Sequence, residues 1–232
     1  MKKTLLFIYV FFLQFISFSQ ENVNLFPEVV KQNIKKYKTI SNVSYELGDT
    51  DKGQFLFDTL VNNQLIGTRF EDYSLKKING GKLKLSSIKK PILIQTYMSW
   101  LVMNKGEIPA LNKLSKKYAH DLKIIVLIWD KRKDAKNLAN QFSSDIAVCY
   151  ANENYNKDEA VVETLKFSIG YLTSYYLDEN LKVISIKKGK PLQTPRKTLM
   201  KDAIKMNYEI IEKNITDLLI TTYLKKEKLA VD

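Results

Sequence analysis

The chain has 232 residues, 45% of them hydrophobic and 11% aromatic, with a formal net charge of +12. That composition supports one sizeable core and excludes a disordered chain, while 8 glycines and 5 prolines exclude collagen-like and low-complexity architectures. A single cysteine rules out a disulfide framework, and a single histidine rules out a two-histidine metal site within one chain.

The first 19 residues have the layout of an export signal: Lys2 and Lys3, an apolar run over 5–13, then Ser17, Phe18 and Ser19 at cleavage spacing. The apolar stretch over 5–18 is interrupted by Gln14 and falls short of the roughly 20 residues a membrane span needs. A mature chain beginning near Gln20, exported to the periplasm or beyond and without a membrane span, is therefore expected. The basic residues are scattered or bracketed by acids, as in "DKRKD", which suits solvated faces rather than a nucleic-acid stripe.

Residues 20–64 read as a lead segment. "FPEVVKQNIKKYK" has apolar residues at 26, 29, 30, 34 and 37 and predicts a short helix; "NVSYEL" and "QFLFDTL" read as strands around "GDTDKG". From residue 65 to 193 the pattern alternates. "EDYSL" and "GKLKLSS" predict a hairpin at Asn79, Gly80 and Gly81, and "PILIQTYM" a strand buried on both faces. A helix is expected over 101–118, then strand "LKIIVLIW", helix "KDAKNLANQF", strand "IAVCYA" and helix "KDEAVVETLKF". "SYYLD" and "LKVISI" predict a closing antiparallel pair around Asp178, Glu179 and Asn180. The sum is an α/β domain, a central mixed sheet with helices on both faces. Residues 194–232 predict a long helix with Thr194 as N-cap and Pro195 in its first turn. Its stripe of Ile204, Tyr208, Ile211, Ile215 and Leu218 is expected to pack on the sheet in its first half, and its far end could serve oligomerisation.

Several phrases, in order, carry a resemblance: "LIGTRFEDYSL", "GGKLKLSSIKKPILIQTYMSW", "WLVMNKGEIP" and "GYLTSYYLD". Together they resemble the exported bacterial thioredoxin-like thiol-disulfide oxidoreductases of the TlpA/ResA type, which implies a thioredoxin-like fold. "WLVMNKGEIP" lies over that family's W-C-x-x-C-x-x-E-x-P, so Leu101 and Asn104 stand where its two cysteines would be. Leu172 stands where a cis-proline would present backbone to an extended substrate. A leucine there predicts a trans Tyr171–Leu172 bond, because cis before a non-proline residue costs about 2.5–4 kcal/mol.

Thiol exchange needs a thiolate and a second, resolving thiol, and neither Leu101 nor Asn104 can serve. The resemblance thus implies a scaffold without its redox centre: no catalytic residues, no metal and no cofactor. Trp100, Leu101, Met103, Asn104, Glu107, Tyr171 and Leu172 become the candidate binding residues for an envelope protein or extended peptide. The structural alternative is that Trp100 packs the strand end, Pro109 kinks the helix and Glu107 is a polar residue near its start. The enzymatic alternative is a redox protein acting through Cys149 or a partner's thiol, although "DIAVCYA" reads as a buried strand. His120 reads as a surface residue.

Overall fold

A computed structural model describes residues 24–101, 104–189, 195 and 197–231. The signal-like start and Met103 lie outside the described residues. The sheet has seven strands: β1 (Ser74–Lys77), β2 (Lys82–Lys84), β3 (Ile92–Tyr97), β4 (Lys123–Ile128), β5 (Ala147–Tyr150), β6 (Thr173–Leu177) and β7 (Val183–Lys188). Their spatial order is β2-β1-β5-β4-β3-β6-β7, with β3, β4 and β5 parallel and the strands on either side antiparallel. This is the expected thioredoxin-like α/β fold. Every residue of β3 is buried, as a strand flanked by β4 and β6 and covered on both faces requires.

The lead segment departs from its sequence reading. The stretches taken as strands are helical: α1 runs over Phe26–Glu46 and α2 over Thr50–Leu60. Apolar alternation at Phe55 and Phe57 suggested a strand, but Phe55 is exposed while Gly53, Phe57 and Leu60 are buried at helical spacing. In α1 the misleading signal is inverted polarity: Ser41 and Ser44 are buried, whereas Ile40, Val43 and Leu47 are exposed. Asp49 caps α2 by accepting from the Lys52 N–H at 2.9 Å. Both helices join the main core. Phe26 packs on Phe70 and Tyr175, with ring centroids 5.0 and 6.2 Å away.

Helix α3 spans Glu107–Lys117 and begins six residues later than expected. Pro109 therefore sits in its first turn, where a missing N–H costs nothing, and produces no kink. The late start has a cause in Gly106, which precedes the helix at φ +84°. A side chain there would meet the backbone of Ala203 and Ile204 at 2.6–2.7 Å. Those residues belong to α6 (Met200–Val231), the long C-terminal helix, which follows α4 (Arg132–Ala139) and α5 (Glu159–Val161) in chain order. From Val162 to Ile169 the chain continues α5 in wider turns, ending with the Gly170 N–H donating to the Leu165 carbonyl five residues back.

The first half of α6 packs on α3 as well as on the sheet. Glu212 accepts from Lys117 and from the hydroxyls of Tyr118 and Tyr208, and Asn207 donates to the Lys105 carbonyl. Tyr208, Ile211, Ile215 and Leu218 share one apolar cluster with α3 and with Leu93, Tyr176 and Ile184 of the sheet, so α6 lies beside α3 on the same face. Its second half docks too: Ile215 and Leu218 are buried, and Lys225 and Lys226 bridge to Asp178 and Glu179 at the β6–β7 turn. Pro195 stands outside the helix, and Thr194 lies outside the described residues.

Replacing Gly106 by alanine should cost about 2–4 kcal/mol, combining a left-handed backbone strain with a collision against α6 main chain. Urea unfolding measures it, and a loss under about 1 kcal/mol would mean that the α3–α6 contact yields easily.

Candidate functional site

The turn after β3 holds the first group of expected residues. The Ser99 N–H donates to Asp130 at 2.7 Å and the Leu101 N–H to the Met98 carbonyl at 3.3 Å, which folds residues 98–101 back on themselves. Trp100 is thereby lifted into solvent with 67% of its surface exposed, so it does not pack the strand end. Leu101 turns the other way and leans on the core.

Opposite lies the loop from Gly170 to Leu172. The Tyr171–Leu172 bond is trans, as are all described peptide bonds. The Tyr171 carbonyl accepts from the Thr96 hydroxyl at 2.9 Å and from the Trp129 indole N–H at 3.0 Å. The same hydroxyl lies 3.1 Å from the Thr173 carbonyl, and its single proton serves one of these two acceptors at a time. Thr96 also accepts from the Thr173 N–H at 2.8 Å, so one hydroxyl fixes both ends of the loop.

Trp100, Leu101, Tyr171 and Leu172 line one groove of about 480 Å³. Its other wall, which sequence reasoning missed, is α1: Tyr37, Ser41 and Tyr45, with Lys166 and Lys188 completing it. The available signal was Lys166. It falls on the apolar face of its helix with Val162, Leu165 and Ile169, and is only 4% exposed. Its ammonium pairs with Glu153 at 2.5 Å. Nothing in the sequence pointed to α1, because its second half was read as a strand.

Asn104 and Glu107 are absent from that groove. Glu107 is part-buried and accepts from the Tyr97 hydroxyl at 2.7 Å, while Asn104 hydrogen-bonds it through side chain and main chain. Burial holds its carboxyl above the usual range, against the lowering effect of these bonds. Asn104 is thus engaged in fixing the Glu107 carboxyl. Leu101 stands six residues before α3, away from the helix N-terminus that would acidify a thiol.

Cys149 lies in β5, fully buried, paired across the ladders with Leu127 and Lys77. Burial pushes its thiol up to about 12, outweighing the nearby Lys77 and Lys123. A thiol in that state is almost wholly protonated at neutral pH and is no nucleophile. His120 is exposed. Among the described residues no group of His, Cys, Asp and Glu could hold a metal ion, and no helix is long and apolar enough to cross a membrane.

No protein-family model matches the chain. A curated relative, the thioredoxin-like protein YneN of Bacillus subtilis, is 27% identical over 118 residues, 49% of this chain. The match spans 65% of that relative's length, just under two thirds. Among solved structures, a putative thiol:disulfide interchange protein DsbE from Chlorobium tepidum is 20% identical and covers 66% of this chain and 97% of its own, with a TM-score of 0.49. A putative protein disulfide isomerase from Bacteroides thetaiotaomicron is 15% identical, covers 66% of this chain and 89% of its own, and gives the same TM-score of 0.49. This chain has one cysteine.

Two measurements follow from this geometry. Because burial raises the Glu107 carboxyl, its charged form costs stability above the ordinary carboxylate range, and the cost disappears as acid protonates it. Glu107→Gln should then be at least as stable as the parent at pH 7, with the difference closing at acid pH. Glu107→Ala should lose about 1–3 kcal/mol by stranding the Tyr97 hydroxyl. A Glu107→Gln variant less stable at pH 7 than at acid pH, relative to the parent, contradicts the assignment. Separately, a thiol-titrating dye should label Cys149 only after unfolding; rapid labelling of the folded chain would restore a redox reading.

Proposed function

We propose that the protein is an exported, non-catalytic binding or accessory protein of the bacterial envelope, built on a thiol-oxidoreductase scaffold of the TlpA/ResA type. It holds a protein or extended peptide on the face carrying Trp100, Leu101, Tyr171 and Leu172, within a unit spanning residues 65–193. The observation that carries this reading is the pairing of an open groove with the absence of a thiol around it. Leucine and asparagine occupy the two thiol positions, and the one thiol of the chain is buried in β5.

An apolar wall beside an exposed indole suits retention rather than turnover. Large aromatic side chains projecting from a surface supply contact area at low entropy cost and are enriched where proteins meet. The substitutions at 101 and 104 replace transient covalent capture with non-covalent contact. The leader-like sequence over residues 1–19 supports export. Asn104 and Glu107, proposed from sequence as contact residues, are better suited to holding the start of α3, given their bonds to each other and to Tyr97. The α6 helix as an oligomerisation surface is not needed for this reading.

Purified protein should show no turnover in an insulin-reduction assay at any pH. In a crosslinking pull-down from the envelope fraction, the parent should retain a partner that the Trp100→Ala variant loses. Equal capture by both would remove this face from consideration, and turnover abolished by Cys149→Ser would overturn the non-catalytic reading.

A further inference from the structure

Three lysines surround the groove, and they differ in what holds them. Lys166 is paired with Glu153. Lys38 donates to the Phe167 carbonyl at 2.6 Å. Lys188, the last residue of β7, has no carboxylate at ion-pair distance among the described residues. Its ammonium faces rings instead, 5.3 Å from the centroid of Phe57, 5.5 Å from Tyr45 and 6.0 Å from Tyr37. Burial and the nearby Lys38 both lower its affinity for a proton. Aromatic faces recover only part of what a cation loses on leaving water, so this charge stands uncompensated.

The surroundings are built to hold it there. Tyr45 lies so close over α2 that a side chain on Gly53 would meet its ring at 2.4 Å. A glycine inside a helix is costly, and here it makes room for this one ring. Tyr37, at the same wall, has its hydroxyl buried with no hydrogen-bond partner among the described residues. The rims are exposed aromatics, Trp100, Phe167 and Tyr171, and the floor includes Met98, Leu101 and Leu172.

We propose that this groove recognises an acidic peptide segment, seating one Asp or Glu carboxylate on Lys188 between Tyr37 and Tyr45 with apolar neighbours on the aromatic rim. The inference rests on the peptide-binding reading above and names its ligand class. Lys38 also lacks a carboxylate partner among the described residues, but its ammonium is held on the Phe167 carbonyl, so Lys188 is the cation left to receive a carboxylate. A volume of about 480 Å³ admits a few side chains. The Tyr171 carbonyl already accepts from the Trp129 indole and lies within reach of the Thr96 hydroxyl, which disfavours main-chain pairing there. Recognition then falls mainly on side chains, and the strongest single attraction the groove offers is to an anion.

The test is an array of nine-residue peptides of randomised sequence, balanced at every position for acids, their amides and lysine, probed with the full chain. Bound peptides should be enriched at least fivefold in Asp or Glu over Asn or Gln at one position. Lys188→Met, which keeps the stem, should abolish that enrichment, and Lys188→Arg should keep it. Lys133→Met, at an exposed lysine outside the groove, should change nothing. Trp100→Ala should lose bound peptides of every kind. Loss of the enrichment in Lys133→Met as well would assign it to net charge and overturn the site. Binding that depends on Trp100 but shows no acid preference would overturn the carboxylate while leaving the peptide-binding face. If nothing binds above the Trp100→Ala background, both fall. Thermal melts of the Lys188 variants check folding, and the arginine variant decides if the methionine one does not fold.

Discussion

One carbonyl determines what this scaffold can do. In an antiparallel or parallel ladder a strand offers its C=O groups outward to a partner, and a peptide can be captured by main-chain pairing alone. Tyr171 would occupy such a position, yet its oxygen is held by Thr96 from β3 and Trp129 from the end of β4. Both donors are buried, and releasing the Trp129 indole would strand its N–H in the core at about 1–3 kcal/mol, whereas Thr96 has the Thr173 carbonyl as a second acceptor. The loop is therefore fixed by the core's own need for hydrogen bonds. Its side chains, Tyr171 and Leu172, are what remain for contact.

The same economy appears at the start of α3. Asn104, Glu107 and Tyr97 satisfy one another, and α6 closes over Gly106 so tightly that no side chain fits. A helix N-terminus is where unpaired N–H groups and the backbone dipole would otherwise attract an anion or activate a thiol. Here the neighbouring backbone is enclosed by a second helix. The residues at the start of α3 are taken up with one another, and the open surface lies where α1 faces the two loops.

Much of this was legible in the residues. Alternating apolar runs and helical stripes gave the order of elements from β1 to β7, and the glycine pair at 80 and 81 gave its hairpin, because those signals reflect burial on the same faces the sheet uses. Trp100, Leu101, Tyr171 and Leu172 were assembled through resemblance, and all four line one groove. What the residues concealed was α1 and α2. There serines are buried and isoleucine, valine and phenylalanine exposed, so hydrophobic periodicity pointed to the wrong period. The groove's second wall was hidden by the same inversion. Lys188 was invisible for another reason: in "IKKGK" it looks like a solvated lysine, and only the fold turns its stem past Gly170 toward the aromatic rings.

That inversion has a physical reading and is not noise in the pattern. A helix that buries serine and exposes isoleucine sacrifices hydrophobic stabilisation, at roughly 1.5–3 kcal/mol per large side chain left out. Such a sacrifice is concentrated in the second half of α1, where Tyr37, Ser41 and Tyr45 border the groove and Ile40 and Val43 face away from it. Small hydroxyls at 41 and 44 let the helix approach closely, and Tyr45 uses that approach to reach over Gly53. The residues that weaken α1 as a packing element are thus the ones that shape a wall around an unpaired cation. Local conflict between propensity and burial is where function most often overrides stability.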